Sequence, residues 1–202
     1  MASSEAQRTA TIERRTGETD VSLSLALSGT GAGTRSSGVG FLDHMLDLLA
    51  RHARIDLELT ASGDLETGAH HTAEDTAIVL GQALDAALGD RGGIMRFGFA
   101  TIPMDEALAS CAIDLSGRPF TAFEAQLPPG ATGGFDHELT EEFFRAFANA
   151  AKVTLHVRIE AGSNAHHMIE AAFKAFARAL REAVAIDPSE PGVPSTKGTL
   201  TS

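Results

Sequence analysis

The chain has 202 residues, enough for one large domain or two small ones, and its 43% hydrophobic content is ordinary for a protein with a buried core. Its formal net charge of −11 argues against a nucleic-acid partner, because nucleic-acid binders need a basic face to displace counterions. The sequence has no apolar run of membrane-spanning length, no signal-peptide core, and one cysteine, Cys111, expected to be buried and inert. We therefore expect a cytoplasmic protein without a disulfide or a membrane partner.

The first half of the chain is predicted to alternate between strands and helices. Polar–apolar alternation predicts the strands, and apolar residues at helical spacing predict the helices. In chain order we expect a strand over 19–27, a glycine-rich loop over 28–40, a helix over 42–50, a strand over 55–60, a turn over 62–68 and a helix over 72–88. Gly89 follows the second helix, where an αL cap would lie.

The second half repeats this order of elements. It is predicted to contain a strand over 107–115, a helix over 141–151, a strand over 153–159 and a helix over 171–184. In this register Glu18 falls opposite Glu106, and His44 falls opposite Glu142. The pattern predicts an α+β fold of duplicated split α/β halves, each a small sheet with helices on one face.

We place the first half at residues 1–93, the second at 94–186 and a C-terminal tail at 187–202. The tail is rich in Pro, Gly, Ser and Thr, so it is either disordered or a loop that closes over something.

One short phrase occurs in both halves: residues 70–74 (HHTAE) return as residues 166–170 (HHMIE). On a helix the glutamate is an i,i+3 or i,i+4 neighbour of each histidine, so it can share a metal ion with either. Adjacent histidines point about 100° apart and rarely chelate one ion together. The duplication therefore predicts two ions, each with ligands from both copies, which meet within one chain or across a subunit boundary.

His44 and Glu142, opposite each other in the repeat, extend the predicted ligand set by one position. Imidazole and carboxylate ligands without thiolate suit Mn, Fe, Ni or Zn, and the sequence does not choose among these metals. We interpret the remaining histidines as structural or surface residues, and three phenylalanines of one helix as core packing. These are His52, His137 and His156, and Phe143, Phe144 and Phe147.

These phrases together resemble the imidazoleglycerol-phosphate dehydratases, and the resemblance covers essentially the whole chain. The matching stretches are residues 16–19 (TGET), 40–45 (GFLDHM), 68–75 (GAHHTAED), 116–119 (SGRP), 165–175 (AHHMIEAAFKA) and 194–198 (PSTKG). The resemblance implies two similar halves, each a four-stranded sheet with helices on one side, like the second domain of ribosomal protein S5. It also implies a homo-oligomer of 24 chains with active sites between subunits and two Mn²⁺ ions in each site.

The resemblance also implies roles for individual residues. Glu18 corresponds to the acid/base glutamate of the family. Its metal ligands correspond here to His44, His70, His71, Glu74, His166, His167 and Glu170. Its substrate-phosphate residues correspond to Arg96, Arg118, Lys174, Ser195 and Lys197, the last two on the tail. Some members have a histidine where this chain has Glu142. At that position the site would use the glutamate, use a water, or have one ligand fewer.

The implied reaction is the loss of water from imidazole glycerol phosphate to give imidazole acetol phosphate, a step of histidine biosynthesis. The carbon that loses its proton has no adjacent carbonyl, so a base alone faces a high barrier. An imidazole ring held as an anion between metal ions would expel hydroxide through a diazafulvene-like intermediate. A carboxylate such as Glu18 would carry the proton.

Two other hypotheses differ in class. A non-catalytic assembly that binds metal between subunits would need the His and Glu ligands, but it gives no reason for Glu18 or the tail. An RNA-binding module of the ribosomal type is suggested by the fold analogy alone, and the acidic charge opposes it.

Overall fold

The computed structural model describes residues 8–200. The first seven residues of the predicted first half, and Thr201 and Ser202 of the predicted tail, lie outside the described residues. The first half contains β1 (Thr9–Arg15), β2 (Thr19–Ala26), β3 (Arg35–Ser36), α1 (Gly40–Ala53), β4 (Asp56–Gly63), a 3₁₀ turn (Leu65–Thr67) and α2 (His70–Leu88). The second half contains β5 (Phe97–Met104), β6 (Ala107–Asp114), β7 (Phe120–Glu124), β8 (Ala131–Thr132), β9 (Phe135–Asp136), α3 (Leu139–Ala151), β10 (Thr154–Ala161) and α4 (Ala165–Ala183).

The two halves have the same sheet topology. The first sheet has strand order β1-β2-β4-β3 and the second has order β5-β6-β10-β7. In each sheet the first three strands are antiparallel neighbours, and the fourth pairs in parallel with the third. The predicted duplicated α+β fold with two four-stranded sheets is therefore confirmed. The predicted division at residue 93 falls between α2 and β5.

The four helices pack between the two sheets. α2 contacts β1 and β2, α4 contacts β5 and β6, and across the halves α1 packs on α4 while α2 packs on α3. Phe143, Phe144 and Phe147 of α3 are fully buried, which confirms that they belong to the core. This packing of helices across the two halves matters for the site, because it places α1 of the first half beside α4 of the second.

The outer strands of the sheets were not predicted from periodicity. β1 has no fully buried residue and alternates only between exposed and half-buried positions, so its apolar signal is weak. β7 likewise contains no buried residue. The hairpin of β8 and β9 in the second half carries Phe135, which is buried and packs on Phe41 at a ring-centroid distance of 5.8 Å.

Helix boundaries differ from the sequence predictions in one way that affects the site. α2 begins at His70 rather than 72, and α4 begins at Ala165 rather than 171, so both His-His pairs lie in the first turn of a helix. α2 does end at Leu88, but Gly89 has φ 58° and ψ −124°. This glycine therefore has a positive φ without the αL conformation that we expected.

The tail is a loop packed on the second half over its described part, 187–200. Arg96 Nη1 donates to the carbonyl of Pro194 at 2.8 Å, and Leu200 is buried. Cys111 is buried, as expected, and burial raises the pKa of its thiol. No helix within residues 8–200 is both long enough and apolar enough to cross a membrane.

Candidate active site

Three predicted metal ligands converge where α1 packs on α4. Glu170 Oε2 lies 3.3 Å from His44 Nε2 and 3.1 Å from His166 Nε2. The ligand atoms of the three residues all lie within 4.8 Å of one another. The Glu170 side chain is 8% exposed, whereas the His44 and His166 rings are 45% and 41% exposed. The cluster therefore has a buried carboxylate and two imidazoles that face an accessible space.

Local packing fixes the rings of this cluster. The Phe41 ring stands edge-on to the His166 ring at a centroid distance of 5.0 Å, and the Asn164 side chain caps α4 by accepting from the His166 backbone N–H at 3.0 Å. His44 comes from the first half and His166 from the second, 122 residues apart in sequence. Predicted ligands from both halves thus meet within one chain at this position.

Lys174 lies one helical turn beyond Glu170 and is already paired with it. Lys174 Nζ lies 2.5 Å from Glu170 Oε1 and 3.4 Å from Met104 Sδ. Burial would raise the pKa of Glu170, but the hydrogen bond and charge of Lys174, together with His44 and His166, hold that pKa below its ordinary value. Glu170 is therefore an ionised carboxylate, as a metal ligand must be.

The second histidine of the first copy is oriented by a carboxylate. His71 Nδ1 donates to both carboxylate oxygens of Asp64 at 3.1 Å, and its Nε2 lies 3.8 Å from Glu18 Oε1. The hydrogen bond to Asp64 raises the pKa of His71 and lowers that of Asp64. Metal-bound histidines commonly donate their other ring N–H to a carboxylate in this way, which leaves Nε2 available as a ligand.

The second histidine of the other copy has the same arrangement with a different carboxylate. His167 Nδ1 donates to Glu106 Oε2 at 2.7 Å, and His167 Nε2 lies 3.8 Å from Asp105 Oδ2. The backbone N–H groups of Ser163 and Asn164 also donate to Glu106, at 3.1 and 2.8 Å. The bond to His167 and these N–H groups lower the pKa of Glu106 to about 2.

The remaining predicted ligands do not join the three-residue cluster. His70 Nε2 lies 3.8 Å from Glu74 Oε2 within α2, and Glu142 Oε2 lies 3.4 Å from Arg145 Nη1 within α3. Among residues 8–200, His44, His166 and Glu170 form the one group of three potential ligands that lies within metal-binding distance. The two copies of the phrase are thus equivalent in sequence but not in their surroundings within one chain.

The predicted phosphate-binding residues lie in different electrostatic settings. Arg96 has its Nε and Nη2 donating to Asp114 at 2.7 and 3.1 Å and its Nη1 donating to Pro194, so most of its donors are occupied. Within the described chain, Arg118 and Lys197 are exposed and have no carboxylate within 4.0 Å. Ser195 Oγ accepts the Lys197 backbone N–H at 3.2 Å.

Sequence reasoning missed the carboxylates that hold the second histidine of each pair. The repeat register did point to Glu106, since it lies opposite Glu18, but gave it no role. Asp64 lies in the turn before α2, and no repeat or spacing marked it. His137 is buried and donates to the Pro128 carbonyl at 2.7 Å, and His156 is exposed, in keeping with the structural and surface roles expected for them.

Comparisons with known proteins identify the family of this chain. The family model described as imidazoleglycerol-phosphate dehydratase matches residues 37–180. Relatives with that name from Moorella thermoacetica and Methylorubrum populi are 55% and 57% identical, over 96% of this chain and 98% and 100% of theirs. The crystal structure of the Staphylococcus aureus enzyme is 40% identical with a TM-score of 0.81, over 89% of this chain and 99% of that one.

A second solved structure, of the dehydratase from Pyrococcus furiosus, is 36% identical with a TM-score of 0.80. It covers 94% of this chain and 100% of its own. Both the sequence relatives and the folds therefore match over nearly the full length. The chain belongs to the imidazoleglycerol-phosphate dehydratase family, whose members are hydro-lyases.

Proposed function

We propose that this chain removes water from D-erythro-imidazole glycerol phosphate to give imidazole acetol phosphate, with divalent metal held by its histidines and glutamates. Dehydration in histidine biosynthesis is the activity of its family. The observation that carries the metal-dependent proposal is the convergence of His44, His166 and Glu170 at the junction of α1 and α4.

The donor set of the cluster fits a divalent transition metal. Two imidazole nitrogens and an ionised carboxylate suit Mn²⁺, the proposed ion, and His71 and His167 each have the carboxylate partner that metal-binding histidines commonly use. A bound ion would act as a Lewis acid that favours the deprotonated imidazole ring of the substrate and orients its hydroxyl group. We propose two such ions for each complete site.

Glu18 is the proposed proton carrier. Its side chain is 57% exposed and lies on the β1–β2 turn, with its carboxylate 3.8 Å from His71 Nε2. It is thus next to a proposed metal ligand yet accessible to a bound substrate. The Glu18 carboxylate would accept the proton from the substrate carbon and deliver it to the departing hydroxide, so that one water is released and the carboxylate is restored.

The tail and the turn after β6 supply the proposed phosphate contacts. Arg118 and Lys197 bring positive charge that no carboxylate of the described chain neutralises at close range. Arg118 would bind the phosphate through paired donors, and Lys197 and the Ser195 hydroxyl would add further contacts. Arg96, whose donors are largely occupied by Asp114 and Pro194, would hold the tail in position beside them.

We also propose the assembly of 24 subunits with sites between them. The ligands of the first copy do not join the cluster of the second copy within one chain, so a two-ion site would draw ligands from another chain. If metal bridges chains, chelation should produce smaller particles in light scattering. An unchanged mass after complete metal removal would contradict this part of the proposal.

Turnover with and without metal tests the proposal directly. Purified protein given imidazole glycerol phosphate should form imidazole acetol phosphate with added Mn²⁺, stop after chelation and recover when Mn²⁺ is restored. Turnover that survives complete metal removal would rule out the metal-dependent mechanism while leaving the dehydratase activity in place.

A tail variant separates the enzyme from a non-catalytic metal-binding assembly. Lys197→Ala should raise KM for the phosphate substrate at least tenfold, because the variant loses a charge that is free to meet the phosphate. Lys152→Ala is the matched control, since Lys152 is also exposed but is paired with Asp85 at 2.7 Å. Equal KM values for the two variants would remove Lys197 from the phosphate site.

A further inference from the structure

A cleft lined mainly by basic side chains lies between the ends of α1 and α4. Its volume is about 310 Å³. The lining residues are Thr30, Arg51, His52, Arg54, Arg178 and Arg181. Four arginines around one small cleft are notable in a chain whose net charge is −11.

The cleft is set apart from the proposed metal cluster along the same two helices. Arg51 lies in the last turn of α1, and Arg54 follows that helix with φ 56°. Arg178 and Arg181 lie eight and eleven residues beyond Glu170 on α4. At 1.5 Å per residue, Arg178 is about 12 Å along the helix axis from Glu170.

The four guanidinium groups have no carboxylate partner in the part of the chain between residues 8 and 200. Other arginines of this chain do: Arg35 bonds to Asp47, Arg145 to Glu141 and Arg158 to Glu124. Cations near the C-terminus of a helix are stabilised by its dipole, which accounts for single residues such as Arg51. That effect does not explain why the arginines of two helices and a loop end converge on one cleft.

The positive charges around the cleft add to the effect of burial on His52. Burial, followed by the charges of Lys174, Arg178 and Arg51, lowers the pKa of His52, and the opposing charge of Glu170 does not restore it. An added anion would relieve the repulsion among these groups, so the cleft has an electrostatic reason to bind one.

We propose that this cleft is a second anion site, separate from the predicted phosphate residues on the tail, and that it binds a phosphate-type oxyanion. Guanidinium groups hold such an anion through paired N–H donors. The ligand is either free inorganic phosphate or the phosphoryl group of a small metabolite. The site does not depend on the proposed reaction.

Titration calorimetry with inorganic phosphate, on the metal-loaded full-length protein without free metal, tests this site. The unmodified protein should bind phosphate at two sites per chain. Arg178→Gln combined with Arg181→Gln should weaken one of them at least tenfold and leave the other unchanged. Arg118→Gln combined with Lys197→Ala should weaken the other phosphate site and leave the cleft site unchanged. An error in the tail assignment can therefore be told apart from an error in the cleft proposal.

Arg145→Gln combined with Arg158→Gln is the matched control, because it removes the same charge from paired, exposed arginines. It should leave both phosphate sites intact. Thermal unfolding without phosphate will show that the cleft variant is folded, and added phosphate should then raise its Tm less than that of the control.

The remaining outcomes either support or overturn the proposal. Glycerol phosphate that binds the cleft as tightly as phosphate identifies a phosphoryl metabolite as a ligand, whereas binding of phosphate alone identifies the free ion. Unaltered phosphate binding in the cleft variant overturns the proposal. So does dissociation of the variant into smaller particles with no change in phosphate affinity, since the arginines would then meet carboxylates of a second copy of this chain.

Discussion

The two β-hairpin glutamates, Glu18 and Glu106, occupy equivalent positions in the two halves but have different surroundings. Glu106 accepts from His167 and from two backbone N–H groups, and its pKa falls to about 2. The Glu18 carboxylate lies 3.8 Å from His71 Nε2, and its side chain is more than half exposed. The duplication thus supplied two carboxylates: Glu106 is 40% exposed and held by hydrogen bonds, whereas Glu18 is 57% exposed and is the proton carrier that we propose.

The carboxylate that orients the second histidine comes from a different position in each half. In the first half Asp64, before α2, bonds to His71 Nδ1, and the hairpin residue Glu18 approaches Nε2. In the second half the hairpin residue Glu106 bonds to His167 Nδ1. Because Asp64 holds His71, Glu18 is not needed for that purpose, which gives a structural reason for the single proton carrier that we propose.

Removing the carboxylate charge of each hairpin glutamate should have its largest effect at Glu18. Glu18→Gln should lower kcat by about 10²–10⁴-fold, the usual contribution of a general acid or base, with metal content retained. Glu106→Gln, its matched control, should keep most of its kcat at saturating Mn²⁺. Steady-state kinetics with metal analysis will check both, and comparable kcat values for the two variants would contradict the division of roles.

The next largest difference is expected between the two glutamates of the repeated phrase, in their effect on Mn²⁺ binding. Glu170 is buried and within 3.3 Å of two histidines, whereas Glu74 is 38% exposed and 3.8 Å from one. Glu170→Gln should therefore weaken Mn²⁺ binding by more than about 100-fold, beyond the usual cost of losing an outer partner, and Glu74→Gln should weaken it less. Equal losses in equilibrium dialysis would show that assembly makes the two half-sites equivalent.

Removing the carboxylates that orient the second histidines should have a smaller effect. Asp64→Asn and Glu106→Gln should each lower Mn²⁺ affinity by about 10–100-fold, because His71 or His167 loses the partner that fixes its ring. Affinity measured at fixed pH will check this. If only one variant binds Mn²⁺ more weakly, the carboxylates of the two halves do not make equivalent contributions to metal binding.

Much of this site could be predicted because the duplication is visible in the sequence. The repeated phrase marked both His-His pairs, and the repeat register paired Glu18 with Glu106. The contact of His44 with Glu170 could not be predicted in this way, since it joins residues 126 apart through the packing of α1 on α4. Asp64 could not be predicted because an aspartate in a turn is common. The outer strands show little polar–apolar alternation because they bury few apolar side chains.

The smallest predicted difference between the hairpin glutamates is in stability at low pH. The pKa of Glu106 falls from 4.5 to about 2 on folding, so the folded state binds fewer protons than the unfolded state between these values. The stability from Glu106 is therefore complete above about pH 4.5 and is lost as the pH falls toward 2. His167 acts in the opposite window, because its raised pKa gives stability that is lost as the pH rises above 6.5.

Urea unfolding of metal-free protein between pH 5 and pH 2.5 will show the difference. Glu106→Gln should be less stable than the unmodified chain at pH 5, and the two should converge as the pH falls, because protonation of Glu106 removes the same interaction as the substitution. Glu18→Gln should stay closer to the unmodified chain throughout, since Glu18 lacks the hydrogen-bond donors that hold Glu106. A constant gap between Glu106→Gln and the unmodified chain would show that the carboxylate contributes through packing rather than through its charge.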